Sequence, residues 1–144
     1  MNIIWKKDDQ GIAITTIVDG TDAEDAALSM QANGSIPSSW ECVATNYNGN
    51  MPNMMLFDAF VWGDTINAVL IDMVRARALT KERLRMERGP LLAALDIQFQ
   101  RAQEDALPTT EIVAAKNKLR DVTDAVDTIT DVAELLRPIA EFLV

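Results

Sequence analysis

The chain has 144 residues, 49% of them hydrophobic and 24% charged, with a net charge of −9, enough for one ordinary domain or two small ones that share a core. Histidine is absent and cysteine occurs once, which excludes Cys/His zinc sites, Ser-His-Asp and Cys-His catalysis, and haem or iron–sulfur ligation. No Walker loop or GxGxxG fingerprint occurs, and the longest apolar runs, of four or five residues, fall short of the roughly 18 to 20 that span a membrane. A binding or assembly role without cofactor or metal is expected. The start MNIIWKKDDQ has too short an apolar run for a signal peptide and neither end carries a lipidation motif, so an intracellular, membrane-free chain is expected.

Charge divides the chain in two. Residues 1–74 carry two lysines against ten acids, whereas residues 75–144 carry eleven basic and twelve acidic groups. The acidic front half lacks the cations that neutralise a phosphate backbone, so its expected partner is protein rather than nucleic acid.

Ile3 to Lys7, a turn at Asp8-Asp9-Gln10-Gly11, and Ile12 to Val18 read as a β-hairpin. Asp19-Gly20-Thr21-Asp22 breaks the run, and Asp22 caps a short alanine-rich helix that ends at Asn33-Gly34 and lies flat on the sheet. Trp40 to Thr45 has strand propensity, with Trp40, Cys42 and Ala44 on one face, and Met51 to Leu56 forms a methionine-rich loop or edge. A second hairpin is expected from Phe57 to Trp62 and from Ile66 to Asp72 around Gly63-Asp64-Thr65. These pieces predict an α+β chain whose residues 1–72 form a small β-sandwich-like, partner-binding domain.

From Met73 onward glycine occurs only at Gly89 and aromatic residues only at Phe99 and Phe142, so residues 73–144 read as a helical assembly domain. Residues 73–106 have helical spacing, with Gly89-Pro90 as a kink or break. The last segment has a heptad pattern with Ile112, Leu119, Val126, Ala133 and Ala140 at a and Ala115, Val122, Ile129, Leu136 and Leu143 at d. Residues 112–136 would form a coiled-coil-like rod of about 37 Å. Packing against residues 79–105 of the same chain and packing between subunits are both open, and the small core of a two-helix hairpin favours association.

Cys42 beside Trp40 reads as a small buried hydrophobe, and Asp8, Asp9, Asp22, Glu24 and Asp25 read as solvated turn and helix-cap residues. Arg75, Arg77, Lys81, Arg83, Arg85 and Arg88 form a basic stretch interleaved with Glu82 and Glu87. A solvated face that pairs with acids of the front half or of a neighbouring subunit explains it better than nucleic acid does. Met51, Met54 and Met55 with Phe57 are either core filler or an adaptable docking surface.

The order of segments IIWKKDDQGIAITTIVDG, SIPSSWECVAT, FDAFVWGD and DMVRARALTKERLRMERGPLLAALDIQFQRAQE resembles small phage proteins encoded beside tail-fibre genes. The resemblance rests on Trp5, Pro37, Trp40, Trp62, Asp72, Arg77, Arg83, Arg88, Leu92, Leu95 and Asp96. It implies a tail-fibre assembly chaperone that acts in the host cytoplasm and is built as a homotrimer to match the fibre. Met51, Met54, Met55, Leu56 and Phe57 would then touch the fibre. Ile112, Ala115, Leu119, Val122, Val126, Ile129, Ala133 and Leu136 would join the copies. The alternative is a virion component, a fibre adaptor or baseplate-attachment protein.

Overall fold

The structure, a computed structural model, describes residues 1–18 and 20–144. Asp19, expected to open the turn after the second strand, lies outside the described residues. The backbone divides into two compact units, Met1–Asp72 and Met73–Val144.

In the first unit β1 (Asn2–Lys6) pairs antiparallel with both β2 (Ile12–Thr16) and β3 (Glu41–Tyr47), giving the order β2-β1-β3. Ile4 lies opposite Ile14 and Lys6 opposite Ile12. The connecting loop closes through the Lys7 N–H, which donates to Gly11 O at 2.8 Å, with Gln10 at a left-handed φ of 66°. Strand alternation turns Ile3 and Trp5 to one face, where they meet Ala23 and Ala27 of α1 (Ala23–Ala32). The buried Trp5 indole N–H donates to Thr15 Oγ1 at 3.0 Å, so the ring enters the core without an unpaired polar group. Asp22 caps α1 by accepting the Glu24 and Asp25 backbone N–H groups at 2.9 and 3.0 Å. The alanine-rich helix thus lies on the sheet as its sequence implied, and it is this helix that covers the Ile3–Trp5 face, in place of the second layer of a β-sandwich.

The pairing of β1 with β3 slips, so that Trp5 lies opposite Cys42 but Ile4 opposite Ala44. The extra residue on β3 breaks the two-residue period that placed Trp40, Cys42 and Ala44 on one inner face. Trp40 is half-buried against the α1 core, whereas Cys42 is exposed, which corrects its reading as a buried hydrophobe.

The second hairpin is shorter than expected. Strands β4 (Phe60–Gly63) and β5 (Ala68–Ile71) pair with Phe60 opposite Ile71, and residues 57–59 belong instead to a 3-10 helix, Met54–Ala59. An isolated bridge between Gly11 and Val61 links this hairpin to the first. Tyr47 ties β3 to it, because its hydroxyl accepts the Val69 N–H at 3.2 Å and its ring meets Trp62 edge-on at 5.7 Å. Gly49 passes beneath that ring, where a Cβ would collide with it.

In the second unit α2 spans Met73–Glu104 and continues through Gly89-Pro90, where the sequence implied a kink or break. Pro90 has no N–H to donate to the Met86 carbonyl, so the helix tolerates one missing bond there. Helix α3 (Thr110–Asp121) is followed by a 3-10 turn at Asp124–Thr128 and by two single-turn helices, α4 (Val132–Leu135) and α5 (Ile139–Phe142). All of them pack on α2.

The expected continuous rod over residues 112–136 is therefore corrected. Ten of the eleven residues 121–131 are Asp or β-branched. Such side chains either lose rotamer freedom in a helix or compete for its backbone bonds. Thr128 Oγ1 donates to Ala125 O at 3.1 Å and Asp131 Oδ1 accepts the Ala133 N–H at 2.9 Å, so both act in turns and caps. Leu119, Val122, Val126 and Ile129 are buried inside their own unit rather than presented as a seam between subunits. Ile112 and Ala115 are half-buried and Ala133 is exposed. Leu135 takes the fully buried place that the heptad assigned to Leu136, which is half-buried.

Arginines of α2 hold this folded-back segment. Arg77 Nε donates to Ile129 O at 2.9 Å, Arg83 donates to Leu135 O at 3.0 Å and Arg137 O at 2.8 Å, and Arg88 donates to Arg120 O at 2.7 Å. Lys81 pairs with Asp127 at 2.7 Å. The Ile129 and Leu135 carbonyls end a 3-10 turn and α4, Arg120 lies in the last turn of α3, and Arg137 lies in the link before α5, all places where helical donors run out. The partners found for Arg77, Lys81, Arg83 and Arg88 are thus carbonyls and the acids Asp127 and Glu87 of their own unit, where the sequence implied acids of the front half or of a neighbouring subunit.

Candidate functional site

Asn53 starts the turn that carries the methionines. Its backbone is extended, its Oδ1 accepts the Met55 N–H at 2.9 Å, and its carbonyl accepts the Leu56 N–H at 3.0 Å. The segment kinks at Leu56, where the backbone leaves helical geometry, and Leu56 and Ala59 are both buried beneath the turn. Met54 and Met55 are left on the outside at 59% and 63% exposure. Phe57 is half-buried and packs edge-on against the fully buried Phe60 at 5.5 Å, and Met51 is half-buried.

The five residues expected at this surface therefore take different positions. Met54 and Met55 are outward, Met51 and Phe57 flank them, and Leu56 is corrected to a core residue that fixes the turn from below. The Asn53 cap is the local signal for this turn, since Asn followed by a run with no alternation favours a helical turn over a strand.

The surroundings are acidic. The unit carries two lysines, Lys6 paired with Asp64 at 3.4 Å and Lys7 with Asp9 at 3.9 Å, against ten acids in its sequence, so its field is negative. The Cys42 thiol is pushed up from its ordinary value by partial desolvation, with the Glu24 carboxylate adding to the rise. It is held as a neutral thiol, the opposite of an activated nucleophile.

In the second unit a cleft of about 650 Å³ between the end of α2 and the start of α3 is lined by Ala102, Leu107, Pro108, Thr110, Glu111 and Ile112. Glu111 is its one carboxylate, so it offers no acid–base pair. Among the described residues no group of three or more His, Cys, Asp or Glu side chains is placed to hold a metal ion, and no helix is long and apolar enough to cross a membrane. Comparison of the chain with family models, with curated proteins and with solved structures finds no match.

Proposed function

We propose that the protein is a tail-fibre assembly chaperone of a phage, which covers an apolar edge of a fibre subunit with the Met54–Met55 turn until the fibre has formed. The observation that carries the binding role is the outward placement of two large, flexible thioether side chains on a capped turn whose inner residues are locked in the core. Methionine adapts to irregular apolar partners, and unpaired strand edges of a trimerising β-rich fibre are the hazard that such a cover removes. Net negative charge over the same unit keeps the complex soluble. The assignment to a tail fibre is supported by the resemblance in residue order, and contact is made by Met54 and Met55 with Met51 and Phe57 beside them. The homotrimer implied by that resemblance then comes from one copy bound per chain of a three-fold fibre, because the central heptad residues Leu119, Val122, Val126 and Ile129 are buried within their own unit.

The test is co-expression with the fibre subunit encoded beside this chain. Met54→Asp with Met55→Asp lowers capture of that subunit while tryptophan emission and circular dichroism stay at parent values. Undiminished capture would remove the methionine turn from the account. Recovery of the protein in purified mature particles would move the reading to a fibre adaptor or baseplate-attachment protein.

A further inference from the structure

The outward face of α2 carries a stripe that the fold leaves unused. Glu82, Met86, Pro90, Ala93, Ile97 and Arg101 recur at steps of four, four, three, four and four, which places them within an arc of about 100° on one side of the helix. All six are exposed, Met86 at 68% and Ile97 at 52%. The opposite side, with Leu92, Leu95, Phe99 and Ala102, is the half-buried or buried one. From Gly89 to Leu95 no residue is charged, and the next charge, Asp96, is paired with Lys116. A helix that is apolar on its exposed side as well as its packed side has a second partner to meet.

The charges at the ends of the stripe say which partner. We infer that a second copy of this chain docks here, with the two α2 helices antiparallel and the two-fold axis between Leu91 and Leu92. In that register the stripe matches itself: Met86 meets Ile97, Pro90 meets Ala93, and Glu82 meets Arg101 at both ends. Among the described residues neither Glu82 nor Arg101 has an ion-pair partner in its own chain. A parallel arrangement in equal register would set Glu82 against Glu82 and Arg101 against Arg101, so the charge order selects the antiparallel one. Ala93 in the centre allows close approach of the helices. The near-neutral second unit, with eleven basic and twelve acidic groups, lets two copies meet without the repulsion that the acidic first units would bring.

The contact is small. Nineteen helical steps span about 28 Å and one helix is about 10 Å wide, so the footprint is roughly 280 Å² per copy, against roughly 800 Å² for a standard interface. The dimer is accordingly weak, with a dissociation constant on the order of 100 μM. This inference does not depend on the fibre reading.

Sedimentation equilibrium of the full chain from about 10 to 1,000 μM, a range that brackets the expected dissociation constant, tests it. The expected result is a mass that rises from one chain toward two. Glu82→Arg and Arg101→Glu each weaken the association about ten-fold by setting like charges together, and the double substitution restores it. Both positions are exposed, and far-ultraviolet circular dichroism of each variant checks that the helices are retained. A mass that stays at one chain throughout would overturn the inference. A dimer indifferent to both single substitutions would remove it from this face, and failure of the double substitution to restore it would overturn the antiparallel register.

Discussion

Replacing Arg83 by Ala tests how the second unit holds its non-helical segment. The Arg83 side chain is 20% exposed and donates to Leu135 O and Arg137 O, while its pairing with Glu87 at 2.9 Å is the more exposed contact. Hydrogen bonds from a charged donor contribute about 1.5–3 kcal/mol each, and the freed carbonyls recover part of this from water. Thr80 Oγ1 remains 3.4 Å from Leu135 O as one alternative donor. A net loss of about 2–3 kcal/mol follows, which for a unit of this size lowers Tm by on the order of 10–20 °C. All three tryptophans lie in the first 62 residues and most helix lies beyond them. Far-ultraviolet circular dichroism therefore follows the second unit, and tryptophan emission the first. Arg83→Lys keeps one donor of the fork and is expected near half the loss, whereas Glu87→Gln costs less than about 0.5 kcal/mol. A dichroism transition for Arg83→Ala within about 0.5 kcal/mol of the parent would refute the capping account.

Three further outcomes follow. Val126→Asp sets a carboxylate at a fully buried position and costs more than about 3 kcal/mol, read as loss of the helical dichroism signal. Retained helix with a lowered native mass would instead restore the seam between subunits. Gly49→Ala drives a methyl into the Tyr47 ring and disturbs the Tyr47–Trp62 contact, so urea midpoint and tryptophan emission shift together, and an unchanged emission spectrum would contradict that packing. Cys42 is exposed yet held neutral, so iodoacetamide modifies it more slowly at neutral pH than an unfolded control. The sign is that of a raised thiol: stability is level below the ordinary thiol range and falls as pH rises through it toward the higher folded value. Modification faster than the control would refute the raised value.

Local rules carried the reading wherever one strong signal acted alone. The hairpin of β1 and β2, the Asp22 cap of α1 and the start of α2 at Met73 follow from alternation, capping chemistry and the disappearance of glycine and aromatic residues. The reading failed where two signals competed. At residues 121–131 the heptad spacing of Leu119, Val122, Val126 and Ile129 marked which side chains are buried, while Asp, Thr and Val propensities decided that the backbone leaves the helix. At β3 a register slip invisible to periodicity set Ala44 opposite Ile4 instead of on the Trp5 side with Cys42, and Cys42 is exposed because β3 is the edge strand. At residues 57–59 the Asn53 cap outweighed aromatic strand propensity, which buried Leu56 and freed Met54 and Met55. Arginine-to-carbonyl bonds have no sequence spacing of their own, because the acceptor is a backbone group that exists at every residue.

The proposed function rests on contact of Met54 and Met55 with a fibre subunit. Its most direct measurement is the native mass, by light scattering after size exclusion, of the parent chain and of Met54→Asp with Met55→Asp, each co-expressed with the neighbouring fibre-like gene product. A complex of equal copies is expected for the parent and separate elution for the variant. Separate elution of the parent from a fibre that is soluble without it would contradict the claim.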